Sequence, residues 1–265
     1  EFERDMERVK NALLAYAWDE ESGYFGYAVQ GQEGVHILRT EAGENYNKGV
    51  DGVTPLIAGI CSKEQEKQLL KHLKSPEELW SPVGISTVDM SASYYYDNGY
   101  WNGSVWCPYQ YFLWKAMLDI GEGQFAFDIA HRGLNSWKQE IEFSYNTFEM
   151  IQIETERGGW FHQFSGLSTP ISIWYNAYYK RGTLTTGYDT WIEKKEISED
   201  ADHAEIVYST TGTHTGVLLI VMNSLYHYDV EIDDKKAEFI EREKGVIEIT
   251  LNRKEGVIII YRDEK

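Results

Sequence analysis

Residues 103–121 read Gly-Ser-Val-Trp-Cys-Pro-Tyr-Gln-Tyr-Phe-Leu-Trp-Lys-Ala-Met-Leu-Asp-Ile-Gly. Gly103-Ser104 precedes this nearly uncharged run and Gly121 ends it, so the stretch predicts a long apolar helix. A helix that is apolar all round has to be buried on all sides. The sequence therefore predicts an inner helix that other helices cover.

The same contrast between helices recurs from residue 1 to about residue 182. Charged helices are predicted at 2–18, 63–74 and 122–143, and nearly uncharged ones at 53–60, 104–118 and 165–180. An outer layer of amphipathic helices over an inner layer of apolar ones satisfies both kinds, which predicts three helical hairpins. Ser62 is predicted to cap the helix at 63–74, with Glu66 completing an approximate capping signature.

After residue 183 the apolar residues follow a period of two. Strands are predicted at Val217–Met222, Tyr226–Ile232, Ala237–Ile240, Val246–Leu251 and Val257–Tyr261. The expected fold is therefore mainly α with a β appendage. Residues 1–182 form the helical hairpins, and residues 183–265 form an antiparallel, β-sandwich-like domain.

The composition limits the kinds of partner that this protein can bind. The 265 residues contain 25 Lys and Arg against 43 Asp and Glu, a net charge of −18, which disfavours both nucleic acid and anionic membranes. No apolar run is long enough for a membrane span and no signal peptide is recognisable. Cys61 and Cys107, both in apolar helical contexts, fit a reducing compartment, and we expect a cytoplasmic protein. Because the chain starts at Glu1, we expect it to be a piece of something longer.

Three loops precede the predicted inner helices, at 44–52, 94–103 and 148–164. Each combines aromatic rings with amides or carboxylates, and that mixture suits a sugar, whose ring faces stack and whose hydroxyls form hydrogen bonds. Long loops in compact domains are usually functional. The alternative is that these aromatics only pack the rim of the helical layer.

Glu149 is the carboxylate that we single out for proton transfer. It lies between Phe148 and Met150, and a partly desolvated Glu can exchange protons near neutral pH. The alternative is an ordinary Glu on a solvated edge. Glu154 and Glu156 compete for the role but resemble a solvated turn.

No cofactor and no metal are expected from the motifs. The seven histidines have no ligand spacing, and the chain has no nucleophile elbow, phosphate-binding loop or dinucleotide fingerprint. The two cysteines are also too far apart in sequence for a paired-ligand motif.

Four segments resemble inverting glycosidases with an (α/α)6 barrel, which include processing α-glucosidase I, mannosylglycerate hydrolase-like enzymes and, more distantly, trehalase. The segments are Trp18–Phe25, Asp51–Ile60, Tyr100–Trp106, and Phe148-Glu149 followed by Phe164–Ser168. Their order and spacing over residues 16–180 carry the resemblance. The sequence departs from the family pattern at Asn102, where Arg is usual, at Ser104, where Pro is usual, and at 150–152 after the Glu.

The resemblance implies hydrolysis with inversion, of an α-glucoside type of substrate, with Glu149 as the general base. It implies a sugar-binding platform of Tyr100, Trp101, Trp106 and Trp160, with Asn102 and Gln163 as hydroxyl partners. The alternative is a non-catalytic sugar-binding or structural module of a larger carbohydrate-active protein.

In the family the general acid is an Asp in the earlier half of the barrel. The chain therefore resembles the C-terminal half, a partial (α/α)6 toroid, with the acid outside it. Asp51, Asp89 and Asp97 are in-chain substitutes, and none is favoured. Besides a carbohydrate substrate, the expected partner is the missing N-terminal half or a second copy of the chain.

Overall fold

The computed structural model describes residues 1–97 and 99–263, with the backbone alone at 161 and 162. Asn98, in the second predicted loop, lies outside the described residues, as do the side chains of Phe161 and His162 in the third. The chain divides into two compact units. The first contains Glu1–Gln110 and Ser136–Leu167, and the second contains Tyr111–Asn135 and the residues from Ser168 onward. The boundary near residue 182 stays a prediction.

The helices lie close to the predicted positions. They are α1 Phe2–Tyr16, α2 Thr54–Ile57, α3 Lys63–Lys74, α4 Cys107–Asp119, α5 Gly123–Ser144 and α6 Thr169–Tyr179, with short 3-10 turns at Val50–Val53 and Ser165–Ser168. No helix in the described ranges is long and apolar enough to cross a membrane.

The three apolar helices are shorter than predicted. The helix expected from residue 104 starts at Cys107 because Ser104–Val105 pairs as a strand. A proline stands in the first turn of α2, α4 and α6, where its missing N–H is tolerated, so each helix begins close to it. Cys61 was expected in a helical context. It lies instead in the segment between α2 and α3, where it is half-buried.

The capping of α3 corrects one detail. Ser62 Oγ accepts from the Gln65 N–H at 3.3 Å, and Gln65 Oε1 accepts from the Ser62 N–H at 2.9 Å. Ser62 is the cap, as predicted, but its partner is Gln65 and not Glu66. A capping box requires the third helical position, and Glu66 is the fourth.

The first unit contains short antiparallel strands. They are β1 Trp18–Asp19, β2 Tyr24–Phe25, β3 Ala28–Gly31, β4 Gly34–Ile37, β5 Trp80–Ser81, β6 Gly84–Ile85, β7 Ser104–Val105, β8 Phe148–Gln152 and β9 Gly158–His162. Strands β7, β8 and β9 form one sheet in that order. The prediction of a loop over 148–164 was wrong, because Phe148 and Ile151 are buried against Val83 and Val105 and the segment folds as a hairpin.

The second unit contains two antiparallel sheets. Its strands are β10 Leu184–Thr186, β11 Thr190–Ile197, β12 His203–Thr210, β13 Gly216–Val221, β14 Tyr228–Ile232, β15 Lys235–Lys236, β16 Ile240–Glu243, β17 Val246–Leu251 and β18 Glu255–Arg262. The sheet orders are β10-β13-β17-β16 and β11-β12-β18-β14-β15. Ile206 and Ile260 of one sheet share an apolar core with Ile220 and Ile249 of the other.

The prediction of antiparallel strands after residue 183 was right, but it did not include every strand. The strand expected at 237–240 lies at 240–243, and β11 and β12 were not predicted. Helices and strands take up nearly equal shares of the chain, so the fold is α plus β and not mainly α.

Candidate active site

The three predicted loop segments lie together in the first unit. The Lys48 N–H donates to Tyr94 Oη at 2.9 Å, and that hydroxyl donates to the Asn45 carbonyl at 3.1 Å. The rings of Tyr46 and Tyr94 stack with centroids 4.9 Å apart. Tyr100 then connects the second segment to strand β8, so all three segments contribute to one region.

Glu149 is a buried carboxylate within β8, only 7% exposed. Tyr100 Oη donates a short hydrogen bond to Glu149 Oε1. The other oxygen, Oε2, is buried and has no hydrogen-bond partner among the described residues. Glu149 is therefore not a solvated surface residue, and only one of its two oxygens is bonded to the described residues.

An aromatic cluster surrounds the Tyr100 ring. Trp101, Trp106 and Trp160 meet it edge to face, with centroids 5.4, 4.8 and 5.1 Å away. Trp101 stacks on Trp106 at 4.0 Å with an interplanar angle of 10°. Trp106 is buried, whereas Trp101 and Trp160 are more than half exposed.

A β-bulge positions Trp160. In the β8–β9 pair, Phe148 opposes His162 and Met150 opposes Gly159. Two residues of β9 therefore lie opposite the single residue Glu149 of β8. Trp160 is one of them and has φ 61°, in the left-handed region that bulky residues seldom adopt. Strained backbone of this kind persists where surrounding structure requires it, often at functional sites.

Asn102 and Gln163 each form a hydrogen bond to a residue outside this cluster. The Asn102 side-chain amide donates to the Tyr94 carbonyl at 3.2 Å, within its own loop. The Gln163 N–H donates to the Thr147 carbonyl at 2.8 Å, just beyond β9, and its side chain is exposed. Glu154 and Glu156 lie in the exposed turn of the hairpin, as predicted.

A cavity of about 260 Å³ shares Trp101 with the cluster. Its lining also includes Tyr27, Asn47, Asp51 and Tyr109, and Tyr27 Oη donates to Asp51 Oδ2 at 3.0 Å. Sequence reasoning missed Tyr27 and Tyr109, which lie outside the three quoted loops. The one available signal was their closeness to family-like segments, two residues after Phe25 and three after Trp106.

The three aspartates that the sequence offers as substitutes for the general acid differ in burial and in bonding. Asp89 is buried and forms an ion pair with Lys48, and its Oδ1 accepts from the Ser91 N–H at 2.7 Å. Asp97 is exposed, and Asp51 lies on the cavity wall. Asp89 is therefore committed to an ion pair, and none of the three is favoured as a general acid.

The phenols of this region keep their protons. Burial, together with the Asp51 charge, raises the pKa of Tyr27 to about 12. Burial likewise raises the pKa of Tyr94 to about 12. The hydrogen bond to Glu149 raises the pKa of Tyr100. The region therefore presents neutral hydroxyl groups at physiological pH.

Residues 1–149 match the family described as mannosylglycerate hydrolase MGH1-like glycoside hydrolase domain. The chain belongs to this family. The match confirms the family resemblance that the sequence motifs predict. No curated protein sequence matches the chain.

Solved structures agree at the level of the fold. The GH63 mannosylglycerate hydrolase from Thermus thermophilus, in complex with Tris and D-glycerate, is 21% identical with a TM-score of 0.52, over 66% of this chain and 38% of that one. The glucose complex of the same enzyme is 21% identical with a TM-score of 0.50, over 64% of this chain and 39% of that one. A sialidase is 10% identical with a TM-score of 0.52, over 94% of this chain and 24% of the sialidase chain. This chain thus spans less than two fifths of the Thermus enzyme's length.

Proposed function

We propose that the protein carrying this chain hydrolyses a glycosidic bond with inversion, and that Glu149 is the general base. The observation that carries the proposal is the Glu149 carboxylate, buried with Oε1 bonded to Tyr100 and Oε2 without a partner in the described chain. A carboxylate oxygen of this kind can take a proton from an attacking water.

An inverting mechanism also needs a general acid on the opposite face of the sugar, roughly 6.5–9.5 Å from the base. The acid protonates the leaving oxygen while the base activates water. We assign the acid to a part of the protein outside this chain, as the family resemblance implies. Residues 1–182 then form the C-terminal half of an (α/α)6 barrel and residues 183–265 a β domain, with the other half, or a second copy, as partner.

The sugar would bind against exposed aromatic faces and the adjoining cavity. Trp101 and Trp160 supply ring surface, while Tyr27 Oη and Asp51 supply hydrogen-bonding groups on the cavity wall. Asn102 and Gln163 complete the proposed set of hydroxyl partners. The family name and the glucose complex of the Thermus enzyme support a panel of α-glucosides and mannosylglycerate as test substrates.

The test is Glu149→Gln in the whole protein. General-base catalysis contributes about 10²–10⁴-fold, so hydrolysis should fall by that factor. Glucose binding, followed by tryptophan fluorescence, should survive because the amide keeps the shape of the site.

Glu154→Gln and Glu156→Gln are the matched controls, and both should retain activity because the two carboxylates lie in an exposed turn. Full activity in Glu149→Gln, or a larger loss in either control, would reassign the base. Sugar binding by the wild-type protein without any hydrolysis would favour a non-catalytic module.

A further inference from the structure

We propose that Tyr100 is a positioning residue for Glu149, fixing Oε1 so that Oε2 alone faces the attacking water. The proposal rests on the proposed role of Glu149 as the base. It adds a requirement for a hydroxyl group at position 100, which the function itself does not demand.

The two oxygens of a free carboxylate are equivalent, and rotation about the last side-chain bond exchanges them. A hydroxyl that donates to one oxygen removes this equivalence and holds the plane of the carboxylate. Tyr100 Oη donates to Oε1, and the buried Oε2 has no partner in the part of the chain that the structure describes. The orientation of the base therefore depends on where Tyr100 is held.

Tyr100 is itself held from several directions. The indole N–H of Trp106 donates to the Tyr100 carbonyl at 2.9 Å, which anchors its backbone. Trp101, Trp106 and Trp160 surround its ring edge to face. A hydroxyl carried on a loop is thus restrained by a buried indole and by the bulged strand β9. Rigid supporting contacts of this kind keep a reactive group in its productive geometry.

The donor also has to remain protonated while the base is ionised. The hydrogen bond to Glu149 raises the pKa of Tyr100, so the phenol keeps its proton at neutral pH. Tyr100 is therefore the donor in the Tyr100–Glu149 bond at neutral pH.

The test is Tyr100→Phe in the whole protein, which keeps the ring packing and removes the donor. With the fastest substrate of the α-glucoside and mannosylglycerate panel, kcat should fall about 10-fold or more while KM stays within about twofold. Tyr96→Phe is the control, since Tyr96 lies in the same loop and is 63% exposed.

A double variant separates this proposal from the proposed function. Adding Tyr100→Phe to Glu149→Gln should cause no further loss, because Tyr100 acts through Glu149. An active Glu149→Gln would overturn the proposed function. An inactive Glu149→Gln together with an unchanged kcat in Tyr100→Phe would overturn the positioning role alone. A further loss of activity in the double variant, beyond that of Glu149→Gln, would also overturn it.

Discussion

Two buried carboxylates in the first unit, those of Glu149 and Glu140, differ in how many hydrogen bonds they accept. Glu149 accepts from Tyr100 at one oxygen only. Glu140, 2% exposed, accepts from Arg157 Nε at 2.7 Å, from Arg157 Nη2 at 3.2 Å and from the Gly158 N–H at 3.0 Å. Glu140 thus attaches the β8–β9 hairpin to α5 through both oxygens, while Glu149 Oε2 has no partner among the described residues.

The Glu140–Arg157 pair should make stability depend on pH. Burial opposes the charge of Glu140, but the bonds from Arg157 and the Gly158 N–H outweigh it and lower its pKa to about 2 from 4.5. The contribution is complete above about pH 4.5 and is lost as the pH falls towards 2. Glu140→Gln should therefore lower the free energy of unfolding at pH 7 by about 2 kcal/mol and flatten its decline below pH 5.

Urea unfolding at pH 7, 4 and 3 measures this effect. Glu142→Gln is the control. The Glu142 side chain is exposed, with Oε1 3.8 Å from the Lys138 Nζ, and exposed pairs of this kind contribute little to stability. A Glu140→Gln protein that loses stability in acid as steeply as the wild type would show that the pair does not cause the decline.

At the scale of elements, α3 is stabilised at both ends. Its capping box satisfies backbone donors at Ser62 and Gln65, and Lys71 and Lys74 lie in its last turn, where positive charge is favourable. Ser62→Ala removes the acceptor at the N-cap and should cost about 1 kcal/mol of stability. Ser62→Thr keeps the acceptor and should unfold near the wild-type temperature. Equal thermal midpoints for the alanine variant and the wild type would contradict the role of the cap.

Elements with a strong period were predictable, and those defined by pairing were not. The charged helices α1, α3 and α5 show the period of an amphipathic helix, and they lie within two residues of prediction. Strand β11 reads Thr-Trp-Ile-Glu-Lys-Lys-Glu-Ile, whose mostly exposed charges hide the alternation. The segment is a strand because it pairs with β12, and the sequence pattern alone does not show this pairing.

The site shows the same division. The Trp101–Trp106 segment and Glu149 stood out by composition and spacing, and the structure brings them together. The bulge at Trp160 depends on register between two strands, which no local pattern encodes. Tyr27 and Tyr109 reach the cavity from separate segments, so only the folded chain reveals them.

At the scale of the whole chain, α1 leaves apolar side chains uncovered. None of its residues is buried, and Phe2, Met6 and Val9 are 86%, 71% and 59% exposed. Exposed apolar surface of this extent usually marks an interface. We therefore expect the 265-residue chain to self-associate or to bind the remaining part of a barrel.

Sedimentation of the chain at several salt concentrations checks this expectation. Association should strengthen with salt, which screens the repulsion between copies of net charge −18. Met6→Glu with Val9→Glu should weaken it, whereas Arg8→Glu should have a smaller effect because it removes no apolar surface. A monomer under all conditions, with no partner in the sample, would contradict the prediction.

The Tyr100–Glu149 contact joins residues 49 positions apart, and the β7–β8 pair that supports it spans a similar length of chain. Helices form from local contacts in about a microsecond, whereas a contact across a long loop must first offset the entropy of closing it. We therefore expect Tyr100 and Glu149 to come together late in folding, after the intervening helical segments have formed. The proposed base and its supporting tyrosine would then reach their final arrangement only after the helices between them have formed.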